Sequence, residues 1–337
     1  MSDRTRSALV NLTVGLVIVA GMGAAIWALL QTDYTGEERR GVGRELLYDQ
    51  TAVRRVDPAL VGYRETGRFA AGFDVPRALA VGPDDSLYVA GDKALHVLGP
   101  DGSPLAEIAV GQEPRCLAVA PDGTTFVGMD DHVEVFDSSG ARQAVWASPG
   151  PGTLLRSLAV AGDLVLATDA GNRVVLAFDR SGRLVRRIGK LSTGDEEDGF
   201  FLRSTEHFGL AAASDGTLWV ANAGRFRVEQ WTSEGELKWW WGAGSTRIED
   251  FFGCCNPAYL ALVPGGGFLT SEKGLSRIKL YSAEGVFRTV VAPPEAFREE
   301  ATSIAVAVDS RGRVLALDPS LGAVRIFEAK TGSDAKE

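Results

Sequence analysis

Histidine and cysteine are scarce, with three of each in 337 residues. The histidines stand in unlike settings. His96 alternates with apolar residues in LHVL, and His132 starts a strand-like run. Only His207, in STEHFG, lies where a loop enters a repeated unit. A three-histidine zinc site is therefore not expected. Positive charge is also short. Lys and Arg number 35 against 44 Asp and Glu, a net charge of −9, and no basic stripe is present. That excludes nucleic acid as a partner, because a phosphate backbone needs such a stripe. No G-x-S-x-G elbow occurs, and no lipid-accepting cysteine lies near the N-terminus.

One uncharged run is long. Residues 8–30 read ALVNLTVGLVIVAGMGAAIWALL, enough to span a bilayer as a helix. Arg4 and Arg6 precede it, which favours a cytoplasmic N-terminus, although Arg39, Arg40 and Arg44 follow on the other side. The run is long for a signal peptide, and its end offers no good cleavage site. The expectation is one N-terminal transmembrane helix acting as an uncleaved signal anchor. The rest of the chain then faces the periplasm or cell exterior, where disulfides can persist. Ala20, Gly21, Ala24 and Ala25 form small-xxx-small pairs, which would allow a dimer through the anchor. The expected divisions are a cytoplasmic segment 1–7, the anchor 8–30, a polar stalk 31–61, a repeat domain 62–329 and a disordered tail 330–337.

From about residue 62 one unit recurs six times. SLAVAGD, LVLATDAGN, RVVLAFDRSG and RLVRRIG make one copy. RALAV, RCLAV, GLAAA, YLALV and SIAV open the others. Short alternating strands joined by Asp-Gly and Ser-Gly turns indicate an all-β, six-bladed β-propeller. Each sheet cannot bury both faces alone, so the blades must pack on one another. The last copy stops after its third strand, near Ala329. A spare strand, 63–70, precedes the first copy and is expected to complete the sixth blade.

LATDAGNRVVLAFDRSG, WVANAGRFRVEQWTSEG and LTSEKGLSRIKLYSAEG resemble the NHL-repeat family of six-bladed, TolB-like propellers. WGAGSTRIEDFFGCCNP resembles its inter-blade linker. The resemblance spans about residues 62–329. It implies fold rather than function, since the family includes lyases, ligand binders and scaffolds. The scarcity of histidine argues against the amidating-lyase branch, and the tryptophan repeat of quinoproteins is absent.

In a four-stranded antiparallel blade, the loop from second to third strand and the loop to the next blade share one face. The long inserts, 191–206, 243–257 and 293–300, are all inter-blade loops and therefore share it. Elaborated loops on one face of a rigid scaffold mark a working side.

The second strand of most blades ends in a polar residue: Asp92, Asp130, Asp169, Asn222, Glu272 and Asp318. Asp169, Asn222, Glu272 and Asp318 could form a rim that holds Ca²⁺. The family resemblance implies instead that each acid pairs with a third-strand base or loop amide, and Arg173, Arg227, Arg277 and Arg325 are placed for that. The run Asp195, Glu196, Glu197 and Asp198 reads as a solvated loop. Trp239, Trp240 and Trp241 read as an outer strand whose alternate rings pack between blades. Cys116 reads as a small buried hydrophobe.

Cys254 and Cys255 admit three readings: a vicinal disulfide in a tight turn, a soft-metal site aided by His207, or two small residues packed on Phe251 and Phe252. Asn256-Pro257 favours a fixed turn. Cys254, Cys255, Asn256, His207, Glu272 and Lys273 are the candidate face for a protein partner or small ligand. The function expected is a membrane-anchored binding or scaffold module, an accessory subunit of a membrane or redox assembly. The alternative is a divalent-metal-dependent hydrolase or lactonase-like enzyme at the channel mouth.

Overall fold

A computed structural model describes residues 51–189, 199–299, 301 and 303–331. The expected anchor, most of the stalk, the acidic run 195–198 and the tail from 332 lie outside the described residues. Among the described residues, no helix is long and apolar enough to cross a membrane.

Six four-stranded antiparallel sheets follow one another along the chain. Blades one to five occupy 76–109, 116–145, 155–188, 210–241 and 259–292. In each, the strands lie in sequence order. The sixth blade holds Ala305–Val308, Val314–Asp318 and Ala323–Ala329, and its outer strand is Tyr63–Ala70. That strand pairs from Tyr63↔Ala329 to Ala70↔Ala323, with a shift between Glu65 and Gly67. The start of the propeller is thus woven into its end, as the truncated sixth repeat requires. Innermost strands of successive blades touch around the ring, the first against the last.

The closing segment is held beyond its own ladder. Thr289 Oγ1 accepts from Gly62 N at 2.8 Å and donates to Leu60 O at 2.7 Å. Arg325 reaches Glu65 at 2.6 Å across the seam. Loss of that strand would expose a sheet edge.

The core lies between blades rather than in one centre. Phe126, Trp146 and Phe178 stack across blades two and three, with centroids 5.6 and 5.3 Å apart. Trp241, Phe251, Phe268 and Tyr281 fill the seam of blades four and five. Burying each such ring stabilises by about 1.5–3 kcal/mol. Turns set the register. Asp179 Oδ1 accepts from Ser181 N and Arg183 N, both at 3.0 Å. Gly182 sits there at φ +86°, with the Trp146 ring 2.4 Å from where a Cβ would stand. A side chain is therefore excluded both by φ and by space.

The tryptophan triplet is not uniformly core. Trp241 is 6% exposed, whereas Trp239 and Trp240 are 37% and 49% exposed. Trp239 meets Trp219 edge-on at 5.9 Å. The Arg227 guanidinium covers Trp240 at 4.8 Å. An outer strand has solvent on one side, so only the ring facing the linker and Phe251 is sealed.

Candidate functional site

The polar residues that end the second strands form a structural series. Four of them accept a backbone N–H from the linker that enters their own blade. Asp92 accepts from Asp74 N at 3.3 Å, Asp169 from Leu154 N at 3.0 Å, Asn222 from Phe201 N at 2.9 Å and Glu272 from Phe252 N at 3.0 Å. Linkers and second-strand ends therefore share one face, as strand direction requires. Asp169 also accepts from Gly171 N and Asn172 N, and from Asn172 Nδ2 at 2.8 Å. Asp318 holds the Ser320 turn and pairs with Arg325 at 3.3 Å. Asp169, Asn222, Glu272 and Asp318 are consumed in four separate blades. Among the described residues, no group of three or more His, Cys, Asp or Glu converges as a metal site.

The basic partners expected for these residues differ blade by blade. Arg277 and Arg325 pair as expected with Glu272 and Asp318. Arg173 does not pair with Asp169: it is exposed at φ +55°, and Asn172 takes its place. Asn222 carries no charge, so Arg227 turns to the buried Glu229 at 2.6 Å. Asn222 Nδ2 donates to the same carboxylate at 2.8 Å.

Blade five is the most charged interior. Glu272 and Lys279 are both 0% exposed, and Arg277 is buried beside them. Lys279 Nζ lies 3.5 Å from Glu272 and donates to Ile248 O at 3.1 Å and Asp250 O at 2.6 Å. It also rests 4.8 Å from the Phe251 ring centroid. Tyr281 donates to Glu249 O at 3.0 Å. Burial pushes the Lys279 ammonium down to about 8, with Glu272 opposing. Glu272 is thus a brace beneath the linker and is inaccessible to a partner, which corrects its expected place on the working surface.

Above this brace the other expected face residues do assemble. Asn256 Oδ1 accepts from Lys273 N at 2.6 Å, and Asn256 Nδ2 donates to Lys273 O at 3.1 Å and to Phe252 O. The Asn256-Pro257 peptide is cis. Lys273 Nζ reaches Glu206 at 2.6 Å, and Glu206 lies 3.9 Å from His207 Nε2. Lys273 therefore ties the linker of blade four to that of blade five. Cys254 is exposed and Cys255 is buried; their sulfurs stand 3.3 Å apart as free thiols. The vicinal disulfide is not formed in this structure. Burial, then the neighbouring Cys254, pushes the Cys255 thiol up to about 11.

On the same face a cavity of about 390 Å³ opens at the ring axis. Its lining includes Arg77, Arg115, Arg156, Glu206, His207, Tyr259 and Ser303. A second volume of about 290 Å³ continues between the innermost strands. The two share Arg77, Arg115, Arg156, Tyr259 and Ala305. The arginines occupy one register position, the first of RALAV, RCLAV and RSLAV in blades one to three. Acids alternate with them around half the rim. Glu113 meets Arg77 at 3.0 Å and Arg115 at 3.9 Å. Asp130 meets Arg115 at 3.0 Å and Arg156 at 2.9 Å. Arg156 Nε donates to Thr205 O at 2.7 Å. For Asp130, burial acts upward, but hydrogen bonds from both guanidiniums outweigh it and leave the carboxyl below its usual range.

Arg77 Nε, Arg115 Nε and His207 Nδ1 are buried with no hydrogen-bond partner. The His207 side chain is 11% exposed. Burial first, and then the Lys273 charge, push its imidazole down to about 4, against Glu206. It is a neutral ring packed on Tyr259, with centroids 5.3 Å apart. The cavity, with three arginines on its rim and the buried His207 in its lining, is the candidate site. The arginines were not foreseen as a cluster. Their signal was the repeated Arg before each L-A-V strand, which becomes a cluster only when three blades are set side by side.

No protein-family model matches the sequence, and no curated protein matches it. Several solved structures are similar in fold. The virginiamycin B lyase of Staphylococcus aureus is 11% identical with a TM-score of 0.55, over 80% of this chain and 100% of that one. A streptogramin B lyase is 14% identical, TM-score 0.54, over 76% and 79%. A chain of the mitotic checkpoint complex is 12% identical, TM-score 0.58, over 82% and 95%. At such identities the likeness is one of fold.

Proposed function

We propose that this chain is a membrane-anchored propeller of NHL type, held outside the cytoplasm, that works as a binding or scaffold module through its linker-bearing face. One observation carries the reading. The linker-bearing face opens into a cavity lined by Arg77, Arg115, Arg156, Glu206, His207 and Tyr259. Residues 8–30 supply the anchor and a route to dimers. Proteins similar in fold include both lyases and a member of a multiprotein complex, so fold alone does not choose between enzyme and scaffold.

The metal-dependent hydrolase reading is less favoured. The carboxylates it would use are each engaged by their own linker or turn. The test is site-specific photo-crosslinking of the full chain in its native membrane. Probes at Arg203 and Cys254 on the linker face are expected to give discrete adducts. Probes at Asp122 and Ser181, on turns of the opposite face, are expected to give none. Equal labelling from both faces would sink the assignment, as would ester or lactone turnover abolished by a chelator.

A further inference from the structure

We infer that Cys254 and Cys255 form a dithiol–disulfide exchange site: Cys254 attacks a disulfide carried to the linker face, and Cys255 releases it by closing the pair. This rests on the binding reading of that face and names the chemistry its partner would carry.

The turn makes the pair. Neighbouring side chains of an extended chain point to opposite sides, yet these two sulfurs stand 3.3 Å apart. Gly253 precedes them at φ +88°. Asn256 clamps the other end, donating to Phe252 O and to Lys273 O at 3.1 Å and accepting from Lys273 N at 2.6 Å. Phe252 N is held in turn by Glu272 at 3.0 Å. Accessibility then divides the work. Cys254 is exposed and meets a partner's disulfide, while Cys255 is buried behind it. Burial keeps solution reagents from Cys255 but not the sulfur already beside it.

Sequence adjacency suits exchange rather than a permanent bridge. Bonded cysteines usually hold their Cα atoms at least about 4.4 Å apart, whereas adjacent Cα atoms are about 3.8 Å apart. A bond between neighbours is therefore strained, and a strained bond is readily reduced.

The steps balance. The Cys254 thiol gives up its proton, and its sulfur bonds to one sulfur of the partner's disulfide. The other sulfur leaves as a thiolate and takes that proton. Cys255 then loses its proton and attacks the Cys254 sulfur. The ring closes, and the second partner thiol leaves protonated. The pair is oxidised by two electrons, and the partner's disulfide is reduced to two thiols. Burial first, and then Cys254 as hydrogen-bonded and charged neighbour, hold the Cys255 thiol up at about 11, against the Lys273 and Arg203 charges. The mixed disulfide removes the Cys254 contribution and leaves both cations, so the second attack is favoured only after the first.

The test treats the full chain in detergent, reduced and then freed of reductant, with oxidised glutathione at pH 7.5, followed by an acid quench and peptide mass spectrometry. Wild type is expected to lose two thiols and to keep no glutathione. Cys255→Ser should keep one glutathione on Cys254. Cys254→Ser should keep none and stay reduced. Asn256→Ala, which frees the clamp, should hold the adduct on Cys254 about tenfold longer than wild type. Melting curves confirm that the variants are folded, and if Asn256→Ala does not fold, the cysteine variants decide. A disulfide-bonded peptide offered at equal concentration separates the sources: exchange faster than with glutathione assigns a polypeptide partner, and slower exchange a small thiol. Three outcomes overturn the proposal: wild type keeps glutathione as Cys255→Ser does, Cys254→Ser exchanges as fast as wild type, or no thiol is lost. Crosslinking retained from Arg203 beside such a failure would spare the binding reading and sink only the exchange.

Discussion

Blade five and the mouth of blades one to three each gather three basic side chains and put them to opposite uses. In blade five, Arg277 and Lys279 lie sealed under the linker, and Lys273 straps it from above. Lys279 spends its donors on the carbonyls of Ile248 and Asp250, which the linker cannot satisfy by itself. At the mouth, Arg77, Arg115 and Arg156 keep access to water or ligand and share two acids among three charges. The difference follows from where each base sits in the blade. Third-strand residues face the neighbouring blade and the loop above it. The first residue of the innermost strand faces the axis. Position in the repeat, more than residue type, separates a brace from a binding group.

The largest expected effect is on the brace. Glu272→Ala removes the one carboxylate between Arg277 and Lys279 and leaves two buried cations uncompensated. A loss of about 3–5 kcal/mol is expected, which lowers the melting temperature by on the order of 10 °C. Arg115→Ala, in a partly exposed rim pair, should cost about 0–1 kcal/mol. Melting curves of the two variants check this. Equal losses would break the comparison and make the mouth as structural as blade five.

The parts of this molecule that depend on local pattern were legible in the sequence. Alternating strands and Asp-Gly turns announced six blades, and the missing fourth strand after Ala329 announced closure by 63–70. Strand direction alone placed the linkers on one face. What was not legible depends on which groups meet across blades. Asn222 stands where its neighbours have an acid, and the charge moved to Glu229, two residues beyond Arg227. Arg173 has the right spacing for Asp169 but a left-handed backbone that turns it outward. Glu272 was placed both against Arg277 and on the partner face; the pairing holds, and the second buried cation, Lys279, which was not read, seals it beneath the linker. The arginines at the mouth were missed because one arginine per blade is unremarkable until the ring is closed.

A mid-sized effect separates stability from function at the mouth. His207 has its imidazole pushed from 6.5 down to about 4, first by burial and then by Lys273. Folding therefore disfavours its proton. Between pH 6.5 and 4 the unfolded chain takes up the proton first, so stability falls as pH drops through that window. The difference of about 2.5 pH units corresponds to a loss of about 3 kcal/mol, complete below pH 4. His207→Gln should remove that slope while the slope from rim carboxylates persists. Urea unfolding of both proteins at pH 7, 5.5 and 4.5 measures it. A variant less stable than wild type at pH 4.5 would show that His207 supports the fold, and the contrast with blade five would narrow.

The smallest effect tests how far the rigidity of blade five extends into its linker. Glu272, Asn256 and Lys273 fix the backbone on both sides of the cysteines, yet Cys254 is exposed at the tip while Cys255 turns inward. Burial pushes Cys116 up to about 12, and burial with the Cys254 neighbour pushes Cys255 to about 11. Both should stay protonated and unreactive at neutral pH. Iodoacetamide at pH 7.5, followed by peptide mass spectrometry, should label Cys254 first and reach the other two only on unfolding. The labelled protein should melt within about 1 kcal/mol of the unlabelled one, as exposed substitutions do. Simultaneous labelling of Cys254 and Cys255 would mean that the linker opens as a unit despite its brace. Recovery of one free thiol instead of three would show the pair oxidised, and the tip would then be a redox-sensitive turn mounted on the braced linker of blade five.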